Sequence, residues 1–276
     1  MKHAFCIIAH NSPLLLKYLL KSIDHPNCDV YIHVDKKCCI NDYRISLKYS
    51  KVYYLEDRYD VTWGSYSLIS AELSLFECAH KKKYDYYHLL SGVDALIKPI
   101  DYILSFFEKN KGYEFLGAHK ADKLHYYRVS CYHFYVKRTS FSYIVSNLEN
   151  SIQRFLGISR FNKDEVYYGN EWGSFTNLFI DKILSKRVWI EKHFKYTQCG
   201  DEIYKQTLMY KMGFDINDKG SIRLIDWERG NPYTFKKDDF DLIVSSAKLF
   251  ARKFSEKDID IVDALYKKIH LDSKIH

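Results

Sequence analysis

The first 35 residues limit the fold more than any other part of the chain. Residues 4–9 (AFCIIA) are a short unbroken apolar run, and residues 29–34 (DVYIHV) read as a second strand that ends at Asp35. Runs of that length without polar alternation suit strands buried on both faces. Between them, Ser12 is expected to cap a helix that begins at Pro13 and continues through Ile23, and His25-Pro26-Asn27 breaks it. A strand, a helix and a strand in about 30 residues form a β-α-β unit, the opening of a doubly wound nucleotide-binding sheet. Such sheets bind ligands at the C-terminal ends of their strands.

Further elements follow the same logic. A short strand is expected at 52–55. Leu68, Ala71, Leu75, Phe76 and Ala79 recur at helical spacing across 67–79. Residues 84–90 (YDYYHLL) read as a strand ending in the turn Ser91-Gly92-Val93-Asp94, which puts an acid at a strand's C-terminal end. A helix is expected at Ile100–Lys109 and a strand at 114–118. The segment 119–170 has weak periodicity and reads as long loops with a helix near 140–155. Helices at 175–184 and 201–211, a strand at 222–227, and helices at 240–249 and 258–269 complete the reading. The chain shows no repeat, low-complexity tract or Gly/Ser linker, and its 276 residues are expected to form one α/β domain. Residues 1–118 would be the nucleotide-binding half, 119–255 the acceptor and catalytic half, and 256–276 a C-terminal helix.

Composition excludes several classes. The net charge of +7 suits an anionic ligand or an anionic membrane face, but it is too dispersed for nucleic acid, and no nucleic-acid-binding signature is present. The seven cysteines form no C-x-x-C pair, which fits reduced thiols in a cytosolic protein. Residues 1–20 carry no signal-peptide pattern, and the run at 4–9 is far too short to span a bilayer. Neither G-x-x-x-x-G-K nor G-x-G-x-x-G occurs, so a P-loop kinase and a dinucleotide-dependent dehydrogenase are set aside. The 25 Tyr and 17 Phe are read first as core filling, with stacking on sugar faces as the alternative.

Six segments, IIAHNSP, VYIHVDKK, YYHLLSGVDALIK, CGDEIYKQT, RLIDW and LFARKF, occur in this order between about residues 3 and 255. In these the chain resembles bacterial members of the core-2/I-branching β-1,6-N-acetylglucosaminyltransferases, a family that also includes peptide O-xylosyltransferases. The resemblance implies a GT-A-type fold, with a Rossmann-like nucleotide-binding half and a mixed sheet. It also implies a UDP-sugar donor, inversion at the anomeric carbon, and no requirement for a divalent metal.

An inverting transfer needs a base for the acceptor hydroxyl and positive charge for the departing diphosphate. Glu202, in the turn Gly200-Asp201-Glu202, matches the family's base, with Asp201 expected to cap the following helix. Read without the family, the two acids simply complement a helix dipole. The D-x-D patterns Asp239-Phe240-Asp241 and Asp258-Ile259-Asp260 fall in late helical runs, not at a strand end, so no metal site is read. Lys253 matches the family's diphosphate lysine, and Arg252 adjoins it. Arg229, Lys236 and Lys237 compete for the role of a second, upstream cation, with Arg229 the expected one.

His10, Asp35, Ser91 and Asp94 are expected to line the donor crevice. A satisfied strand-end Asp and a backbone-bonded His are the structural alternatives for Asp35 and His10. Trp63 either borders the crevice or fills core. For the acceptor, Trp227 matches a stacking aromatic, and Glu171 and Trp172 lie in a family-like turn where this chain has Gly173 in place of a bulky residue. Lys120 and Arg128 lie in the poorly matched middle and have no assigned role. The expected enzyme transfers a sugar, GlcNAc first, to a glycan or lipid-linked oligosaccharide in bacterial surface polysaccharide synthesis. It is expected in the cytoplasm, with the inner membrane as a candidate peripheral contact. The alternatives are a xylosyltransferase-like enzyme with another UDP-sugar and a non-catalytic carbohydrate-binding protein of the same fold.

Overall fold

The computed structural model describes residues 1–134, 140–215 and 221–272. The chain opens with β1 (His3–Ala9), α1 (Pro13–Ile23), β2 (Cys28–Val34), β3 (Lys51–Tyr54), α2 (Tyr66–His80) and β4 (Tyr86–Ser91). It continues through β5 (Ala95–Leu96), α3 (Ile100–Lys109), β6 (His119–Lys120), α4 (Lys123–Ser130) and α5 (Ser140–Phe155). Then come β7 (Tyr167–Tyr168), β8 (Ser174–Thr176), α6 (Asn177–Ser185), α7 (Arg187–Phe194) and α8 (Tyr204–Lys211). The last elements are β9 (Arg223–Ile225), α9 (Phe240–Ser245), β10 (Phe250–Arg252) and α10 (Ile259–Asp272).

The main sheet runs β3-β2-β1-β4-β8, with β8 alone antiparallel. This is the mixed, parallel-rich sheet of an open α/β fold. All seven residues of β1 are buried, because helices cover both faces of a central parallel strand. One face packs on α2 and α6 through Phe76, Phe175 and Phe179, and the other on α1 and α3 through Leu16, Leu20 and Phe107. A smaller sheet, β5-β10-β9, is tied to the main one by the buried Arg223. Its guanidinium donates to the carbonyls of Leu89 (3.2 Å) and Gly173 (2.7 Å).

Several boundaries depart from the sequence reading. Ser12 does not cap α1: it sits in the left-handed region at φ 56°, and its side chain makes no capping bond. Residues 114–118 form no strand and contribute only the bridge Phe115–Ser174. The helix expected from residue 175 begins at Asn177, because Ser174–Thr176 pair with β4 first. The helix expected over 201–211 is a 3₁₀ turn, Gly200–Glu202, followed by α8. The strand expected over 222–227 is Arg223–Ile225, and α9 ends at Ser245. No helix among the described residues is long and apolar enough to cross a membrane.

Candidate active site

A cleft of about 580 Å³ opens at the C-terminal edge of β1, β2 and β4, where a sheet of this topology places its ligand. His10 and Asp35 reach it from the ends of β1 and β2, and Ser91 from the end of β4. Glu171 and Trp172 come from the turn before β8, Arg252 and Lys253 from the end of β10, and Trp63 from the loop before α2. Eight residues singled out in the sequence, scattered from position 10 to 253, therefore meet on one surface.

The cations in the cleft differ in how far they are already neutralised. The Arg252 guanidinium lies 3.8 Å from the Asp94 carboxylate and stacks on the Trp172 ring at 4.3 Å. Lys37 is paired with Asp60 at 2.6 Å and Asp35 at 3.3 Å. Lys253 takes part in no ion pair among the described residues, although it lines the same wall. Its ammonium is the charge left over for an anionic ligand.

The acids nearby serve mainly as supports. Both oxygens of Asp35 are engaged: Oδ1 accepts from the Lys37 amide (2.9 Å), and Oδ2 accepts from the Val61 amide (3.2 Å). Asp94 does not line the cleft. It lies behind Arg252, accepts from the Ser91 amide at 2.9 Å, and is pushed up by burial while Arg252 pulls it down. His10 is held below its ordinary value by partial desolvation and by Lys37, Arg252 and Lys253, against the opposing pull of Asp35.

Glu202 stands on the 3₁₀ turn that precedes α8. That turn is anchored by the Cys199 amide donating to the Gly64 carbonyl (2.8 Å), next to Trp63 on the cleft wall. Gly200 is required there, since a Cβ would meet Thr197 Oγ1 at 2.4 Å. Arg128, from α4, donates to Glu202 Oε2 at 2.8 Å with both side chains partly exposed. This fixes one carboxylate oxygen and leaves Oε1 for a ligand. Nothing in the 119–170 stretch marks Arg128 in the sequence, because the contact spans 74 positions.

Asp201 does not cap α8. Its side chain points inward, its Oδ1 is buried without a partner, and it joins Glu72 and Glu171 around one cation. That cation is Lys205, which donates to Glu72 Oε2 (2.5 Å) and to the Asp201 carbonyl (3.0 Å), while Tyr204 donates to the same Glu72 oxygen (2.6 Å). Three buried carboxyls around one ammonium cannot all ionise cheaply. Burial, then the charges of Asp201 and Glu72, hold Glu171 well above the usual carboxylate range. Burial and the neighbouring Glu202 and Glu72 push Asp201 up to about 7. Glu171 thus keeps its proton and, with Asp201, forms a buried acidic floor adjoining Trp172 and Glu202 in the chain; α2, which supplies Glu72, belongs to the site although its periodicity reads as plain core.

Four selected residues do not line the cleft: Asp94, which lies behind Arg252, Glu202, whose turn is tied to the wall at Gly64 beside Trp63, and Arg229 and Trp227, which lie apart. Arg229 is held by Asp226 (2.5 Å) and Asp239 (2.7 Å) and stacks on Tyr233, outside the cleft lining, where its neighbours Asn231, Pro232 and Thr234 do appear. Lys236 and Lys237 sit at the 3₁₀ turn before α9, also outside the lining. Trp227 is 52% exposed beyond β9 and does not line the cleft. Gly173 shows why this chain has no bulky residue there: a Cβ would lie 2.3 Å from the Phe175 ring. Among the described residues no group of three or more His, Cys, Asp or Glu is arranged to hold a metal ion.

The sequence profile of the core-2/I-branching enzymes matches residues 3–247. Xylosyltransferase sqv-6 of Caenorhabditis briggsae is 24% identical over 94% of this chain. Human xylosyltransferase 1 is 23% identical over 91% of it. The chain spans only 36% and 28% of those two proteins. Among solved structures, apo mouse xyloside xylosyltransferase 1 aligns with 91% of this chain and 96% of its own at 12% identity, with a TM-score of 0.36, a likeness too distant to carry weight. With nearly its whole length matched by one profile, the chain belongs to the core-2/I-branching enzyme family of glycosyltransferases.

Proposed function

We propose that this chain transfers a sugar, GlcNAc in the first reading, from a UDP-sugar to a glycan with inversion and without a divalent metal. The observation that carries the reading is the cation arrangement at the end of β10: Lys253 without a carboxylate partner among the described residues, beside an Arg252 already oriented by Asp94 and Trp172. The diphosphate lies against these two side chains, and the rest of the nucleotide runs along His10, Asp35 and Ser91. The acceptor oxygen attacks C1 of the donor sugar, the C1–O bond to phosphate breaks, and UDP leaves with the bonding pair. The acceptor proton passes to Glu202 Oε1, while Arg128 keeps the other oxygen in place. Positive side chains then supply the charge a metal would otherwise bring. We further propose that the acceptor is a surface-polysaccharide precursor.

Xylose is the second donor reading, favoured because the curated relatives named above are xylosyltransferases. A panel of UDP-sugars, assayed for UDP release in EDTA, separates the readings. Release from UDP-GlcNAc supports the first and release from UDP-xylose the second. UDP binding without release from any donor would leave a non-catalytic binding protein. Dependence on added Mn²⁺ would overturn the metal-free assignment.

A further inference from the structure

Over its described side chains, residues 145–155, helix α5 turns one side to the protein. Gln153 is buried and clasps the Tyr132 backbone through both amide atoms, accepting at 2.7 Å and donating at 2.9 Å. Arg154 lies over the Tyr127 ring of α4 at 5.0 Å. The side adjacent to Gln153 carries Leu148, Ile152, Phe155 and Leu156, at i, i+4, i+7 and i+8, which are 61%, 50%, 90% and 63% exposed. A stripe at that spacing normally faces a core; here it faces water. Phe134, 59% exposed and stacked on Tyr132, borders it. Contiguous exposed apolar surface of this kind marks an interaction site.

The charge of the surrounding segment says what covers it. Residues 119–160 hold seven Lys and Arg against two Asp and Glu, so this short stretch carries most of the chain's +7. Pairing this face with a second copy would bring two such basic segments together. Lys137 and Arg138 of that count lie outside the described residues, but the segment is basic without them, and an apolar helical stripe in a basic segment suits insertion at the headgroup level of an anionic bilayer. We propose that the exposed face of α5 docks on an anionic lipid surface. The same helix packs on α4, which holds Arg128 against Glu202, so docking brings the base side of the cleft toward the membrane. That placement suits a lipid-linked acceptor and rests on the reading of Glu202 above; the docking itself does not.

The test uses the intact chain and sedimentation with vesicles of phosphatidylcholine alone or with added phosphatidylglycerol. Wild type is expected to sediment with the anionic vesicles, weakly with neutral ones, and less as salt rises. The double variant Ile152→Asp, Phe155→Asp is expected to partition at least about tenfold less, the factor for losing one buried large apolar side chain. Its UDP affinity by calorimetry is expected to equal that of wild type, which also checks folding. Should the double variant misfold, Phe155→Ser alone gives the same reading. Failure of wild type to sediment with anionic vesicles, or equal sedimentation of the variants, overturns the proposal. So does a wild-type dimer that the substitution turns into a monomer. Loss of UDP binding by wild type would count against the donor reading and leave the vesicle result intact.

Discussion

Replacing Lys253 with Ala isolates the interaction on which the donor reading depends. Two unit charges about 4 Å apart at an effective dielectric near 20 attract by about 4 kcal/mol. Lys253 is only partly buried, so solvent screening takes roughly half of that, leaving about 2 kcal/mol, or about 30-fold in Kd. The loss should appear with UDP and UDP-sugars and be absent with uridine, which carries no diphosphate. Raising the ionic strength toward about 1 M shortens the Debye length to about 3 Å, so the gap between wild type and variant should narrow. Lys253 is a cleaner probe than Arg252, whose removal would strand the buried Asp94 and unstack Trp172. Isothermal titration of the three ligands at two salt concentrations is the assay. An equal loss for uridine, or none for UDP, would refute the assignment.

Two further outcomes follow from the buried and cleft-edge groups. Glu171 holds its proton in the folded state at pH values where the unfolded chain releases it, so its contribution to stability is complete below its unfolded value and is lost as pH rises. Glu171→Gln should therefore flatten the fall of melting temperature between about pH 5 and 8, and parallel wild-type and variant profiles would contradict a protonated Glu171. An incoming diphosphate offsets the cations that depress His10, so UDP binding near pH 6 should take up protons. The binding heat should then depend on the buffer's ionisation enthalpy in wild type and lose that dependence in His10→Asn.

The β-α-β opening was legible because its strands are buried on both faces and its helix has one clean apolar side, signals that local periodicity carries. The 3₁₀ turn at Gly200–Glu202 was read as helix because acids before an amphipathic run look the same whether they cap it or turn inward. Asp201 turns inward beside the buried Lys205, whose ammonium is held by Glu72 133 positions earlier, and no local pattern announces that pair. His10, Asp35 and Ser91 are legible because each follows a strand of the predicted sheet, and Arg252 and Lys253 because the segment LFARKF resembles the family's; all five line one cleft. Arg229 looked equivalent in sequence, but its guanidinium is already taken by Asp226 and Asp239. Arg128 left no sequence signal, since what distinguishes it is contact with Glu202 across the fold.

The most direct measurement pairs turnover with UDP affinity in Glu202→Gln, using the donor and acceptor that the wild type accepts. Glutamine keeps the shape and can still face Arg128, but it cannot take the acceptor proton. The expected result is a fall in kcat of about 10² to 10⁴-fold, the usual contribution of a positioned base, with UDP affinity by calorimetry unchanged. Wild-type turnover in the variant would contradict the account, leaving Glu202 as a turn acid paired with Arg128.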